Sequence, residues 1–164
     1  MSRCRRLFVT ATIAATTALT SSAVDISGTY DDKGTQVRGS TPITASFHGL
    51  LAQEFDPELA TLKFAGTARV QLLDHDGTLV VKIYSETNEQ LWSSRWSARE
   101  GYSHEGELAV VRMKLGEAQD KRWVLVMQPV ENGKLLEVKA YRVLPSYIGP
   151  RGEPVGTYLF NKLD

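Results

Sequence analysis

From about residue 61 onward, short runs rich in β-branched and aromatic residues alternate with turn signals, and this rhythm limits the possible folds more than any other feature. The segment 74–77 ends in Asp-Gly, and 131–134 contains Asn-Gly, the strongest hairpin signal in the chain. Together with an opening strand at 26–30, the pattern predicts an antiparallel meander of about eight strands. Its later strands are predicted at 61–73, 79–84, 90–98, 108–115, 122–128, 135–144 and 155–163. Polar connections are predicted at 99–106, 116–120 and 145–154.

The first 23 residues have the features of a secretory signal peptide. Three arginines precede an uncharged run from Leu7 to Thr20, and small residues follow up to Ala23, after which cleavage is expected. A membrane anchor would need ~20 predominantly apolar residues, whereas this run has fourteen, five of them threonines. The pair Arg5–Arg6 also resembles a twin-arginine signal, so either export route fits. We therefore expect a periplasmic or secreted protein with no membrane span in the mature chain.

The remaining residues, 24–164, are expected to form a single domain. Consecutive hairpins in one sheet commonly curl and close, because closure removes the exposed edges, so we expect a β-barrel. The only cysteine, Cys4, lies in the leader, and the mature chain must therefore be stabilised by packing. Of 19 basic residues, three are lost with the leader, which leaves 16 against 19 acidic ones and a net charge of −3. This mildly acidic chain has no basic run, so nucleic acid is not expected as a partner.

The segment between the opening strand and residue 61 is predicted to hold one short helix. A polar loop is expected at 31–40, followed by a helix in which Thr41 is the N-cap and Pro42 the first helical residue. Apolar residues at 47, 50, 51 and 55 recur at i, i+3, i+4 and i+8, a helical period, and the helix should end near Gln53. Alternation of Ile43, Ala45 and Phe47 leaves a strand as the alternative for the first part.

Five aromatic residues are the candidate ligand-binding residues. Trp92 and Trp96 share one face of a predicted strand, about 13 Å apart at ~3.3 Å per residue, and Trp123 falls on another strand. Aromatic side chains most often serve as core, since each buries ~150–250 Å². The alternative is that these three line a ligand mouth or a partner surface together with Tyr84 and Tyr102.

No residue pattern indicates catalysis, a metal site or a cofactor. The three histidines, His48, His75 and His104, are scattered, with no two at a metal-ligand spacing on one element. No nucleophile elbow or phosphate-binding glycine loop occurs. A pair formed by Ser103 and His104 with a remote carboxylate stays open, although neighbouring residues of a strand point to opposite faces.

The segments Gly28–Thr29–Tyr30 and Gly156–Thr157–Tyr158 resemble the opening and closing strands of a lipocalin-type barrel, with Tyr30 in place of the tryptophan of the lipocalin Gly-x-Trp. In that family the aromatic plugs the barrel floor under a basic residue from a late strand. The resemblance implies the plugging role for Tyr30, and the basic role for Lys139, Arg142 or Lys162.

A second likeness is to small uncharacterised bacterial envelope proteins that open with Gly-x-Tyr and a helix containing Leu-Leu. Leu50–Leu51, Gly101–Tyr102 and the Gly-x-Leu of 106–108 carry it. It implies an envelope location and no particular activity.

These observations predict a non-enzymatic exported β-barrel that binds a small apolar ligand or an envelope partner. A periplasmic protein–protein module, such as an inhibitor or immunity-type protein, is the alternative, and a hydrolase of unrecognised type is the third. The oligomeric state is left open by the sequence.

Overall fold

The structure is a computed structural model that describes residues 24–38, 41–54, 66–114, 122–144 and 151–163. Of these residues, 73% lie in strands. The strands are β1 (Gly28–Asp31), β2 (Lys33–Arg38), β3 (Thr41–Ser46), β4 (Thr67–His75), β5 (Thr78–Ser85), β6 (Gln90–Trp96), β7 (Tyr102–Glu105), β8 (Leu108–Lys114), β9 (Arg122–Val130), β10 (Leu135–Leu144) and β11 (Arg151–Leu163). The helix α1 (Phe47–Glu54) follows β3, and a 3-10 turn (Ala98–Glu100) links β6 to β7.

All strand pairs are antiparallel and belong to one sheet. Nine strands follow the order β6-β5-β4-β1-β11-β10-β9-β8-β7, and the hairpin β2–β3 branches from β11. The expectation of a mainly β antiparallel protein with a short early helix is confirmed, with eleven strands among the described residues where about eight were predicted for the chain. In the described part of the chain no backbone ladder joins β6 to β7.

The polar loop predicted at 31–40 is wrong, because β2 occupies most of it. Val37 pairs with Thr157 of β11, so β1 and β2 lie against different parts of the same long strand. The segment lacks apolar alternation because its inward position is a glycine: a Cβ at Gly34 would overlap the ring of Phe160. A strand that packs by leaving room for a neighbour's ring gives no hydrophobic signal.

The helix begins five residues later than predicted, at Phe47 instead of Pro42, and Thr41–Ser46 is the strand β3. The cap is Ser46, whose hydroxyl accepts the N–H of Gly49 at 3.0 Å. The carboxylate of Asp32 accepts the N–H of His48 at 2.7 Å. Serine and aspartate oxygens satisfy the free N–H groups at a helix start. Because Ser46 and Asp32 supply these oxygens, the helix begins after Ser46 and not after Thr41.

The polar connection predicted at 99–106 contains the edge strand β7, whose Tyr102 pairs with Val111 of β8. The predicted hairpin turns are confirmed, since Asp76, Gly77, Asn132 and Gly133 have φ angles of 48°, 69°, 58° and 81°. β11 begins at Arg151, so the end of the loop predicted at 145–154 is also strand. Several predictions fall wholly or partly outside the described residues: the leader 1–23, loop residues 39–40, position 55 of the helical pattern, strand residues 61–65, strand residue 115, the turn 116–120 and loop residues 145–150.

One contiguous hydrophobic core lies on the inner face of the curved sheet. α1 closes it by inserting Phe47, which stacks on Phe160 with ring centroids 4.4 Å apart and meets Tyr30 edge-on at 6.3 Å. Every strand from β4 to β11, together with β1, contributes to the core, whose members include Val70, Leu72, Leu79, Val81, Ile83, Trp92, Trp96, Tyr102, Ala109, Val111, Leu125, Met127, Leu136, Val138, Ala140 and Tyr158.

Candidate functional site

Trp92 and Trp96 are in the hydrophobic core, with 9% and 8% of their surface exposed. Their ring centroids lie 6.4 Å apart at an interplanar angle of 55°. The rings are therefore much closer than the ~13 Å spacing along the strand, because the side chains lean together across the inner face. The arrangement matches aromatic packing in a core.

Tyr102 is fully buried, and its hydroxyl bonds Nε2 of His104 at 3.2 Å. The same nitrogen bonds the carboxylate of Asp74 at 2.8 Å, and only 3% of the Asp74 side chain is exposed. Burial, followed by the hydrogen bond and charge of Asp74, raises the pKa of Tyr102 above its usual range. This cluster joins β7 to the far end of β4, two strands that share no backbone ladder.

Ser103 points away from this cluster. Its hydroxyl accepts a hydrogen bond from the guanidinium of Arg112 at 3.0 Å, whereas His104 faces inward toward Asp74. A serine nucleophile needs a histidine within hydrogen-bond reach. Ser103 and His104 lie on opposite faces of β7 and do not form that pair.

A second Ser–His–Asp group lies at the start of α1. The hydroxyl of Ser46 and a carboxylate oxygen of Asp32 are both 2.7 Å from Nδ1 of His48. In a catalytic triad the serine and the carboxylate bond different ring nitrogens, so that a proton can pass from serine to histidine. Together with the bonds from both residues to backbone N–H groups, the shared Nδ1 marks this group as a helix cap.

Within the described ranges, no group of three or more His, Cys, Asp or Glu side chains is arranged to hold a metal ion. His75 is the last residue of β4, its side chain is 87% exposed, and its Nε2 lies 2.9 Å from the carboxylate of Asp76. None of the helices that the structure describes has the length and apolar character needed to cross a membrane.

Tyr30 and the segment before it cover one end of the inner face. The Tyr30 hydroxyl donates to the carbonyl of Ile26 at 2.8 Å, and burial raises the pKa of Tyr30 to about 12. Lys162 pairs with Tyr30 across β1 and β11, and its Nζ donates to the carbonyl of Ser27 at 2.8 Å. Of the three basic residues considered for the position beside Tyr30, Lys162 is the one placed there.

The other two basic residues lie elsewhere. Lys139 forms an ion pair with Glu137 at 2.8 Å. Arg142 lies over the ring of Trp123, 5.6 Å from its centroid, at the start of β9. Trp123 is partly buried against the core, so it borders the inner face without lying deep within it.

Tyr84 belongs to a different surface, an open cleft of about 450 Å³ on the outer face of the sheet. The guanidinium of Arg69 lies over the Tyr84 ring, 5.3 Å from its centroid. The Tyr84 hydroxyl donates to the amide oxygen of Gln71 at 3.3 Å. The lining residues come from β11, β1, β4, β5 and the turn after β5, and they are Thr29, Arg69, Gln71, Tyr84, Asn88 and Leu163.

The electrostatics of this cleft are one-sided. Its lining holds one cation, Arg69, and no acid. Among the residues that the structure describes, no carboxylate forms an ion pair with Arg69. Asp31 is its cross-strand partner on β1, but the Asp31 carboxylate accepts the N–H of Lys33 at 2.8 Å. Lys82, the cross-strand partner of Gln71, adds a second positive charge on the same face.

The predicted site residues therefore do not form one site. The structure brings Trp92, Trp96 and Tyr102 together in the core, places Trp123 at its border and puts Tyr84 on the outer face. No family model, no curated protein and no solved structure matches this chain.

Arg69 and Gln71 were not predicted as site residues, although the sequence contains a signal that places them beside Tyr84. A two-residue turn at 76–77 fixes the register of the hairpin β4–β5, and that register places Arg69 opposite Tyr84. The alternation of Val70 and Leu72 toward the core sends Arg69 and Gln71 to the other face. Counting outward from the turn would have identified the pair.

Proposed function

We propose that this chain is an exported, non-enzymatic β-barrel protein of the periplasm or the cell exterior, and that it binds a ligand or partner of the cell envelope at its outer face. The observation that carries the proposal is the cleft around Arg69 and Tyr84. It combines a cation that forms no ion pair with the residues that the structure describes, an aromatic ring and an amide in about 450 Å³, within the volume range of ligand sites in general.

Closure of the sheet into a barrel is part of the proposal. β6 and β7 are the two ends of the nine-strand path, and the short 3-10 turn connects them directly. The N–H of Tyr102 donates to the carbonyl of Ser97 at 2.9 Å, and His104 reaches Asp74 on β4. These contacts favour a sheet whose two edges meet through a turn and side chains.

The resemblance to lipocalin-type barrels enters the proposal at one end of the inner face. Tyr30 is buried beneath the preceding segment, with Lys162 on the neighbouring strand. A Cβ at Gly28 would overlap the side chain of Lys162, so the glycine leaves room for the lysine to cross β1. This arrangement supports the roles that the resemblance implied for Tyr30 and Lys162.

Binding outside the barrel is favoured over an apolar ligand within it. An interior ligand would have to displace packing contacts that Trp92, Trp96 and Tyr102 already make within one continuous core. Close-packed interiors lose dispersion contacts when they are opened, which costs free energy. The outer cleft needs no such opening.

Native mass spectrometry of the exported chain, expected as residues 24–164, tests the proposal. The chain is purified from the periplasm of its expression host as wild type, as Tyr84→Ala and as Tyr141→Ala. Tyr141 is a half-buried tyrosine of β10, outside the cleft lining, and serves as the matched control. We expect a small-molecule adduct on the wild type and Tyr141→Ala that Tyr84→Ala lacks. An adduct of equal abundance on all three would place the ligand elsewhere.

A protein–protein module is the second candidate, and exposed apolar side chains on the β2–β3 hairpin favour it. Val37 and Ile43 are 49% and 47% exposed. Photo-crosslinking from position 37 in the native envelope tests this candidate, with position 73 as an equally apolar control at Leu73, 39% exposed. A discrete crosslinked species from position 37 alone is expected. Identical patterns from both positions would count against the module.

A further inference from the structure

The guanidinium of Arg69 lies over an aromatic ring and forms no ion pair with any other described residue. Its partner is the ring of Tyr84, at 5.3 Å, and Tyr84 is itself fixed by its hydroxyl bond to Gln71. A cation over an aromatic face keeps its full charge, and the ring accepts no hydrogen bond in the plane of the guanidinium, so its N–H groups stay available as donors. Arg69 is only partly exposed, so water screens this charge less than it would on an open surface.

Among the residues that the structure describes, no carboxylate forms an ion pair with Arg69. The Asp31 carboxylate bonds a backbone N–H, and the two acids of the turn after β5, Glu86 and Glu89, form no ion pair with Arg69. Lys82 lies on the neighbouring strand and is also positive. The cleft is therefore complementary to a negative group.

The other polar groups of the cleft restrict the kind of anion. The bond from Tyr84 occupies the amide oxygen of Gln71 and leaves the amide nitrogen as a donor. Thr29 adds a hydroxyl, Asn88 an amide, and Leu163 the one aliphatic side chain of the lining. A planar guanidinium fork matches a carboxylate in two parallel hydrogen bonds, and the surrounding donors and acceptors match a polar body.

We propose that the outer-face cleft binds the carboxylate group of a small polar ligand, with Arg69 as the anchor, Tyr84 as the residue that orients Arg69, and Gln71 as a further donor. The inference rests on the proposed function and specifies the chemistry of its ligand. Two envelope sources offer this chemistry, a sugar acid and the carboxyl terminus of a peptide.

Titration of the ¹⁵N-labelled exported chain, followed by amide chemical shifts, tests the inference. The probes are D-glucuronate for the sugar acid and N-acetylalanine for the peptide terminus. Each has a neutral counterpart, D-glucose and N-acetylalanine amide, and inorganic phosphate tests whether any oxyanion suffices. We expect one or both carboxylates to shift amides near Arg69, Gln71 and Tyr84 at millimolar concentration, with the neutral counterparts and phosphate binding more weakly. The tighter carboxylate identifies the source.

Two substitutions of the anchor and one control accompany the titration. Arg69→Gln should weaken carboxylate binding by about tenfold or more, the usual loss when a charge-assisted pair is removed. Arg69→Lys keeps the charge but not the fork, and we expect a smaller loss. Arg95→Gln removes an exposed arginine of β6 outside the cleft lining and should bind as the wild type does. Amide shift dispersion reports folding of each variant in the same spectra.

The inference is overturned if neutral probes or phosphate bind as tightly as the carboxylates, if no carboxylate shifts the cleft amides, or if Arg69→Gln and Arg95→Gln behave alike. Failure of the proposed function looks different. A native adduct that persists in Arg69→Gln but not in Tyr84→Ala would retain the site and reject its carboxylate chemistry. Carboxylate binding in vitro without a native adduct would support the chemistry and reject the cleft as the place where an envelope ligand is carried.

Discussion

Replacing Phe47 by alanine tests whether the interior of the sheet is packed or hollow. The Phe47 ring is completely buried between Phe160 and Tyr30, at centroid distances of 4.4 Å and 6.3 Å. Transfer of the ring to water costs about 1.5–3 kcal/mol. Its neighbours belong to two different strands and cannot close the gap, so a cavity term should raise the loss in the free energy of unfolding to about 3–5 kcal/mol. A domain of this size has only about 5–15 kcal/mol in total.

Equilibrium unfolding in urea, followed by tryptophan fluorescence, measures the loss. Leu73→Ala is the control, because Leu73 is 39% exposed on the outer face of β4, and substitutions at such positions usually change stability by about 0.5 kcal/mol or less. A loss below about 1.5 kcal/mol at Phe47, with an unchanged urea dependence, would mean that the ring borders empty space. That result would refute the packed interior and restore an apolar ligand on the inner face of the sheet as the alternative.

Three further predictions concern residues at the places where separate parts of the sheet contact one another. His104→Ala leaves the buried carboxylate of Asp74 without its histidine partner, and we expect urea unfolding to show a loss of roughly 3 kcal/mol, whereas a loss under about 1 kcal/mol would deny the cluster a structural role. Burial raises the pKa of Tyr30 from 10 to about 12, so its contribution to stability is complete below pH 10 and is lost as the pH rises through 12. Urea midpoints should fall across that range, and less steeply in Tyr30→Phe; equal slopes would contradict the assignment. Gly101→Ala combines a φ of 94° with overlap of a β8 carbonyl, and a thermal melt should show a loss of about 2 kcal/mol or more, where an unchanged melt would rule out the strain.

Turn chemistry and alternation predicted most of the sheet because both are local. The Asp-Gly turn at 76–77 and the Asn-Gly turn at 132–133 require positive φ, which few residues tolerate, so both turns could be located from the sequence, although β4 extends two residues into the turn predicted at 74–77. In β5 the apolar residues Leu79, Val81 and Ile83 alternate with less buried ones, and this period of two specifies a strand with one buried face. Both signals depend only on residues close in sequence, so they can be recognised before the rest of the fold is known.

β2 and β7 were missed because their burial depends on distant residues. Gly34 of β2 is packed by the ring of Phe160, and Tyr102 of β7 is the single fully buried residue of its strand. Neither segment has apolar alternation, and each is strand because its backbone pairs with a neighbour that only the folded sheet supplies. The pairing of Asp74 with His104 is non-local in the same way, since it requires the sheet to curl until β7 faces β4.

The aromatic residues show why the site was harder to predict than the fold. A tryptophan on the inner face of a strand is equally suited to fill a core and to line a cavity, and Trp92 and Trp96 carry no local mark that separates the two roles. The residues with a specific mark are the ones outside the core. Arg69 lies over Tyr84 and forms no ion pair in the part of the chain that the structure describes, and the hairpin register predicts the pair once the turn is known.

The two faces of β4 serve the two properties proposed for this protein, a stable core on one side and a binding cleft on the other. Its inward residues, Val70 and Leu72, are fully buried and stabilise the core, whereas Arg69 and Gln71 point outward, where both contact Tyr84. Because neighbouring residues of a strand face opposite sides, a change at Arg69 removes an outward group without opening the core. A loss of binding in an Arg69 variant that unfolds like the wild type would therefore report on recognition, and a matching loss of stability would show that the Arg69–Tyr84 pair serves the fold instead.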